Sequence, residues 1–131
     1  MDKLTYCIDV DGTICTLTEH HEYYNAKPVP EMVTKINKLY DEGHTIKIAT
    51  ARGQNSGFDF IDLTKTQLRV WGIKYHELLE KPSADFYIDD KSMNPGEFIL
   101  GKDYDVCLEG ALERRGFSLS AVQLLKPLEK N

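Results

Sequence analysis

Cysteine is scarce. Cys7, Cys15 and Cys107 make an odd count with no CxxC pair. That excludes a disulfide framework and a thiolate zinc site, and leaves three reduced thiols. No apolar run is long enough to span a bilayer. The opening "MDKLTYCIDVDG" is charged too soon and apolar too briefly for a signal peptide. A cytoplasmic protein with no membrane partner is expected. Basic blocks are missing as well: 21 acidic residues stand against 16 Lys and Arg, a formal net charge of −5. A nucleic-acid backbone is therefore not the expected partner. Internal repeats, low-complexity tracts and clear linkers are also absent. The chain has 131 residues, 41% of them hydrophobic. That is enough for one domain, 1–131, with its own core.

Strand and helix patterns alternate. Leu4 to Val10 reads as a buried strand and "TIKIAT" (Thr45 to Thr50) as a second. "KYHELL" reads as a short third strand and "DFYID" (Asp85 to Asp89) as a fourth. Between the first two, Val33, Ile36, Leu39 and Tyr40 fall at helical spacing, with Pro30 near the start and Gly43 just past the end. Ile61, Thr64, Leu68 and Trp71 mark a second helix stopped by Gly72. "YDVCL" suggests a fifth strand, and Leu119 to Leu125 a helical turn or two, in a C-terminal segment (about 96–131) of unassigned role. This is an α/β pattern, a doubly wound, mostly parallel sheet. In such sheets ligands bind outside the carboxyl ends of the strands. Three expected strands end in reactive residues: Asp9 to Thr13, Thr50 to Arg52, and Asp89 to Asp90.

Asp9, Asp11, Asp89 and Asp90 gathered at one crevice would repel one another unless a cation intervened. With no His or Cys in the set, a hard ion such as Mg²⁺ suits it better than zinc. Donors for phosphate oxygens are also in place. The backbone at Gly12 and Ala51 offers N–H groups, Thr50 a hydroxyl and Lys81 a point charge. A phosphoryl-transfer site follows, in which Asp9 is the nucleophile and Asp11 the general acid and base.

"DVDGT" after an apolar strand, "IKIATAR", Lys81 in "EKPSADF", and "YIDD" resemble the four ordered motifs of the haloacid dehalogenase (HAD) superfamily phosphatases. The resemblance covers roughly residues 4 to 95. It implies a core sheet with the first strand central. It implies phosphate binding by Thr50 and Lys81. It also implies Mg²⁺ held by Asp9, Asp89 and the Asp11 main-chain carbonyl, with Asp90 acting through a metal-bound water or on Lys81. The spacings leave room for a flap (about 14–29) and helices but no cap domain, as in capless members. The phrases "DVDGTIC", "YYNAKPVPEMVTKINKLYDEGHTIKIATARG" and "FYIDDKS" resemble small phosphatases of capsular and surface polysaccharide biosynthesis. That implies a small phosphorylated polyol, amino-alcohol or sugar as substrate.

Tyr24, Asn25 and His21 on the flap, and Arg52 after the second strand, are the candidate substrate contacts. An open, capless site suggests a partner copy covering it. The competing readings are a catalytically silent phosphate-binding or receiver-like module, and a polynucleotide or protein phosphatase. A receiver domain needs a lone Asp after its third strand, and "YHELLE" supplies none.

Overall fold

The computed structural model describes residues 3–101, which fall into two compact units divided after Asp85. The first unit is α/β. Its strands are β1 (Thr5–Asp9), β2 (Thr45–Thr50) and β3 (Glu77–Glu80), all parallel in the order β1-β2-β3. Helix α1 (Pro30–Asp41) crosses from β1 to β2, and α2 (Ile61–Val70) from β2 to β3. Both crossovers step in the same direction, so the right-handed rule places both helices on one face, as in one wing of a doubly wound sheet. Asn37 of α1 joins them: its amide donates to Gly72 O (2.8 Å) and its carbonyl accepts from Lys74 N (2.8 Å). Among the described residues no cap domain is inserted. Only the flap and α1 separate β1 from β2, and only a loop and α2 separate β2 from β3.

The core lies between the sheet and the helices. Ile8, Ile46 and Ile48 of the sheet, Met32, Ile36 and Leu39 of α1 and Leu68 of α2 are all buried. Trp71, which follows α2 and shares its helical spacing with Leu68, is only partly covered. Pro30 opens α1, where its missing N–H costs nothing. Both helices end in the same device. Gly43 and Gly72 take left-handed φ values of +95° and +74°. His44 N then donates to Leu39 O and Ile73 N to Leu68 O, satisfying carbonyls the helices would leave bare.

The second unit begins at Phe86. Its described part holds α3 (Pro95–Ile99), opened by a capping box in which Asn94 and Glu97 satisfy each other's backbone N–H. The strand expected over Asp85 to Asp89 does not form: these residues pair with no strand, and Phe86 and Ile88 are exposed. Among the described residues β1 is accordingly an edge strand rather than a central one. The expected fifth strand, the helical turns over Leu119 to Leu125, and Cys107 lie outside the described residues. No helix of the described residues is long and apolar enough to cross a membrane.

Candidate active site

The site of the first unit forms where β1 stops. Beyond Asp9 the chain wraps around one buried carbonyl: Val10 O accepts from the N–H groups of Thr13, Ile14 and Cys15 at 3.2, 2.9 and 3.2 Å. This tight turn holds Asp9 and Asp11 at the carboxyl end of the strand. Asp9 Oδ2 accepts from the Thr13 hydroxyl at 3.3 Å. Asp9 Oδ1 lies 3.1 Å from Lys81 Nζ, the carboxylate about one-third exposed and the lysine side chain 21% exposed. Sheet register explains the lysine's arrival. Asp9 lies opposite Ala49, Thr50 lies opposite Glu80, and Lys81 N donates to Thr50 O at 3.0 Å, extending the ladder by one residue. Lys81 therefore stands two strands from Asp9, a span of about 10 Å that calls for a long side chain.

Asp11 is held differently. Arg52 grips it with two bonds, Nε to Oδ2 at 2.9 Å and Nη2 to Oδ1 at 2.8 Å. The Arg52 side chain is 1% exposed and that of Asp11 21%. The remaining guanidinium N–H groups go to Thr64 Oγ1 (3.1 Å), Gln67 Oε1 and Cys15 Sγ (3.8 Å). The Tyr23 ring lies 4.7 Å from the guanidinium carbon. Gln67 also donates its amide to Tyr23 O at 2.7 Å. Helix and flap thus converge on the guanidinium that holds this carboxylate.

The crowding of two aspartates is therefore offset inside the protein, with one cation beside each. Burial raises the neighbouring Cys15 thiol to about 12, with the Asp11 charge adding to the effect, so it is inert at neutral pH. Burial likewise raises the Tyr23 hydroxyl above its ordinary range; Asp11 adds to the shift and Arg52 opposes it.

Several expected contacts look different in place. Arg52 was expected to reach substrate, but all five of its N–H groups have acceptors within the chain. Gly12 was expected to offer its N–H to phosphate; that N–H donates to Cys15 O at 2.8 Å, tightening the turn. Thr50 is buried, and its oxygen accepts from Arg52 N at 3.1 Å, leaving its own O–H to donate. Ala51 lies between them, its carbonyl accepting from Gln54 N at 3.1 Å. On the flap, Tyr24 is exposed, Asn25 bonds Glu22, and His21 bonds the Tyr23 hydroxyl. His20 and His21 both take positive φ, 53° and 61°, at the centre of a turn closed by Glu22 N to Glu19 O, the pattern of a type I′ turn.

Asp89 and Asp90 belong to the second unit, where both are exposed and Asp89 Oδ1 accepts from Lys91 N at 2.9 Å. Among the described residues no group of three His, Cys, Asp or Glu side chains is gathered to hold a metal. In the first unit the Asp9 carboxylate is partly exposed between Thr13 and Lys81, whereas both Asp11 oxygens are bonded to the buried Arg52. An oxygen donor of this kind is what a hard cation such as Mg²⁺ takes, but a single carboxylate does not make a metal site. A cavity of about 240 Å³ opens beside Arg52, bounded by Phe58, Asp59, Phe60 and Glu80.

Thr64, read only as part of a helix face, and Gln67 were not among the candidate site residues. Their signal was present: polar side chains on the α2 face that also carries Leu68 need buried partners.

No family model matches the sequence, and no curated protein does. Solved structures do. A structural-genomics target from Vibrio cholerae is 22% identical with a TM-score of 0.67, covering 92% of this chain and 94% of that one, so the two share a fold. The D,D-heptose 1,7-bisphosphate phosphatase from B. bronchiseptica, complexed with magnesium and phosphate, is 20% identical with a TM-score of 0.48. That match covers 80% of this chain and 65% of the phosphatase.

Proposed function

We propose that the protein is a phosphomonoester hydrolase working through an aspartyl-phosphate on Asp9. The observation that carries this reading is the Asp9 carboxylate, partly exposed at the end of a parallel strand between the Thr13 hydroxyl and Lys81. A second carboxylate is fixed two residues on. In the first step an Asp9 oxygen attacks phosphorus, the ester P–O bond breaks, and Asp11, which enters this step as the carboxylic acid, gives its proton to the departing alkoxide and becomes the carboxylate. In the second, Asp11 takes a proton from water, whose oxygen attacks phosphorus, releasing phosphate and restoring Asp9. Lys81 and the Thr50 hydroxyl neutralise and orient the phosphoryl oxygens.

Mg²⁺ belongs to the proposal: Asp9 and the Asp11 carbonyl would hold it in the first unit, and Asp89 and Asp90 enter only through the sequence motifs. It would supply charge neutralisation at the phosphoryl group. That part rests on the sequence motifs and on the all-oxygen donor set. The proposed substrate is a small phosphorylated polyol, amino-alcohol or sugar of surface polysaccharide synthesis. The substrate class rests on the sequence resemblance alone: the cavity of about 240 Å³ beside Arg52 is not lined by Asp9, Asp11, Thr50 or Lys81. The test is Mg²⁺-dependent phosphate release across a panel of such esters, comparing wild type with Asp9→Asn. The variant should keep its fold and lose turnover. Retained turnover in Asp9→Asn would refute the covalent route.

A further inference from the structure

We propose that Arg52 is the positioning residue of this site, aiming the Asp11 carboxylate for its proton transfers and tying it to the flap. The proposal rests on the phosphatase reading. An arginine serving only as a surface ion pair would keep part of its fork in water. This one is 5% exposed, and its five N–H groups meet five acceptors. Two of those acceptors, Thr64 and Gln67, are themselves buried on the inner side of α2. Burying their polar groups is unfavourable unless they are bonded. Thr64 Oγ1 also donates to Phe60 O (2.8 Å), and the Gln67 amide donates to Tyr23 O. Both side chains are therefore locked before they meet the guanidinium.

The fork has a chemical consequence. A carboxylate has about four lone-pair directions, and the guanidinium uses one on each oxygen. Asp11 keeps a proton-accepting direction while its plane is fixed. The same guanidinium carries the Tyr23 ring of the flap on its face. A substrate displacing the flap would thus act on the carboxylate that protonates its leaving group. Arg52 itself touches no reacting atom in this scheme.

The discriminating measurement uses two esters. Glycerol phosphate needs its alkoxide protonated, whereas p-nitrophenyl phosphate releases a stable phenolate without help. Arg52→Gln should slow turnover of glycerol phosphate by about 100-fold, the lower end of what a general acid supplies. The pre-steady-state burst of nitrophenolate should fall at least about ten times less. Arg52→Lys, which restores charge without the fork, should recover only part of the loss. Equal losses on both esters in folded Arg52→Gln would overturn the assignment. Should Arg52→Gln fail to fold, Thr64→Val decides. It removes one acceptor of Nη1 at nearly constant volume and should show the same selective loss, smaller in size. An equal loss on both esters in that variant, or none, would overturn the assignment too. Wild-type protein that releases phosphate from neither ester refutes the phosphatase reading itself.

Discussion

Removing Asp11 should destabilise the fold more than removing Arg52, although the arginine side chain is far larger. Asp11→Ala leaves a guanidinium that is 1% exposed with Nε–H and one Nη2–H facing no acceptor. Stranding a buried charge in this way costs about 3–5 kcal/mol. Arg52→Met strands the carboxylate instead, but the Asp11 side chain is 21% exposed and water reaches it. Thr64 keeps its bond to Phe60 O and Gln67 its bond to Tyr23 O. The loss should then be about 2–3 kcal/mol, set by charge-assisted hydrogen bonds rather than by an orphaned ion. The double variant contains neither charge. Its cost should fall short of the sum by about 2–3 kcal/mol, the coupling expected for groups in direct contact. Urea unfolding followed by circular dichroism, with unchanged slopes, measures all three differences. Additive losses, or a costlier Arg52→Met, would refute the claim that the guanidinium is the desolvated partner.

Two further outcomes follow from the same geometry. An added Cβ at Gly53 (φ +85°) would sit 2.1 Å from Phe58 O, whereas at Gly57 (φ +77°) it would meet nothing within 4 Å. Gly57→Ala should therefore cost roughly 1 kcal/mol for its backbone angle alone. Gly53→Ala should cost about 2 kcal/mol more as the loop shifts and its Gly57 N–H to Gly53 O bond weakens. Similar unfolding midpoints for the two variants would contradict this placement of the loop. Cys15, with its thiol near 12, should resist iodoacetamide in the native protein at pH 8 while exposed Cys7 is labelled, read by peptide mass spectrometry. Because the folded value lies above the ordinary 9.0, the native state withholds ionisation that the unfolded chain allows. Stability should hold below pH 9 and decline between about 9 and 12, with the raised Tyr23 hydroxyl adding to the slope and Cys15→Ala reducing it.

Local signals carried most of the first unit. Pro30, Gly43 and Gly72 mark helix ends because their backbone angles suit only those positions. "TIKIAT" is a strand along its whole predicted length because it is bounded by that left-handed turn and by a loop. The pairing of Asp9 with Lys81 was half legible. The residue types pointed to one crevice, but the contact depends on a sheet register that no short stretch encodes. "DFYID" shows the opposite case. Its composition favours a strand, yet a strand exists only against a partner ladder, and propensity says nothing of the partner. The Arg52 network was hidden for a related reason. Its members come from the turn after β1, the flap, the loop after β2 and α2, and only packing joins them. Arg52 reads in the sequence as a candidate substrate contact; in the structure its five donors all meet acceptors within the chain.

The two aspartates of "DVDGT" differ in how they are restrained, and the difference matches the roles proposed for them. Asp9 meets its cation through one contact of 3.1 Å between partly exposed groups. Such a pair between partly exposed groups is worth about 0–1 kcal/mol, and in the proposed route Lys81 turns from Asp9 to the incoming phosphoryl oxygen. Asp11 meets its cation through two bonds to a buried fork that is braced on its far side by Thr64 and Gln67. That pair cannot exchange without unseating α2's polar contacts. A nucleophile must be released when substrate arrives, whereas a proton carrier must stay aimed through both halves of the reaction. One strand end meets both demands because the lysine arrives on a flexible stem from two strands away, and the arginine arrives rigid from the adjacent loop.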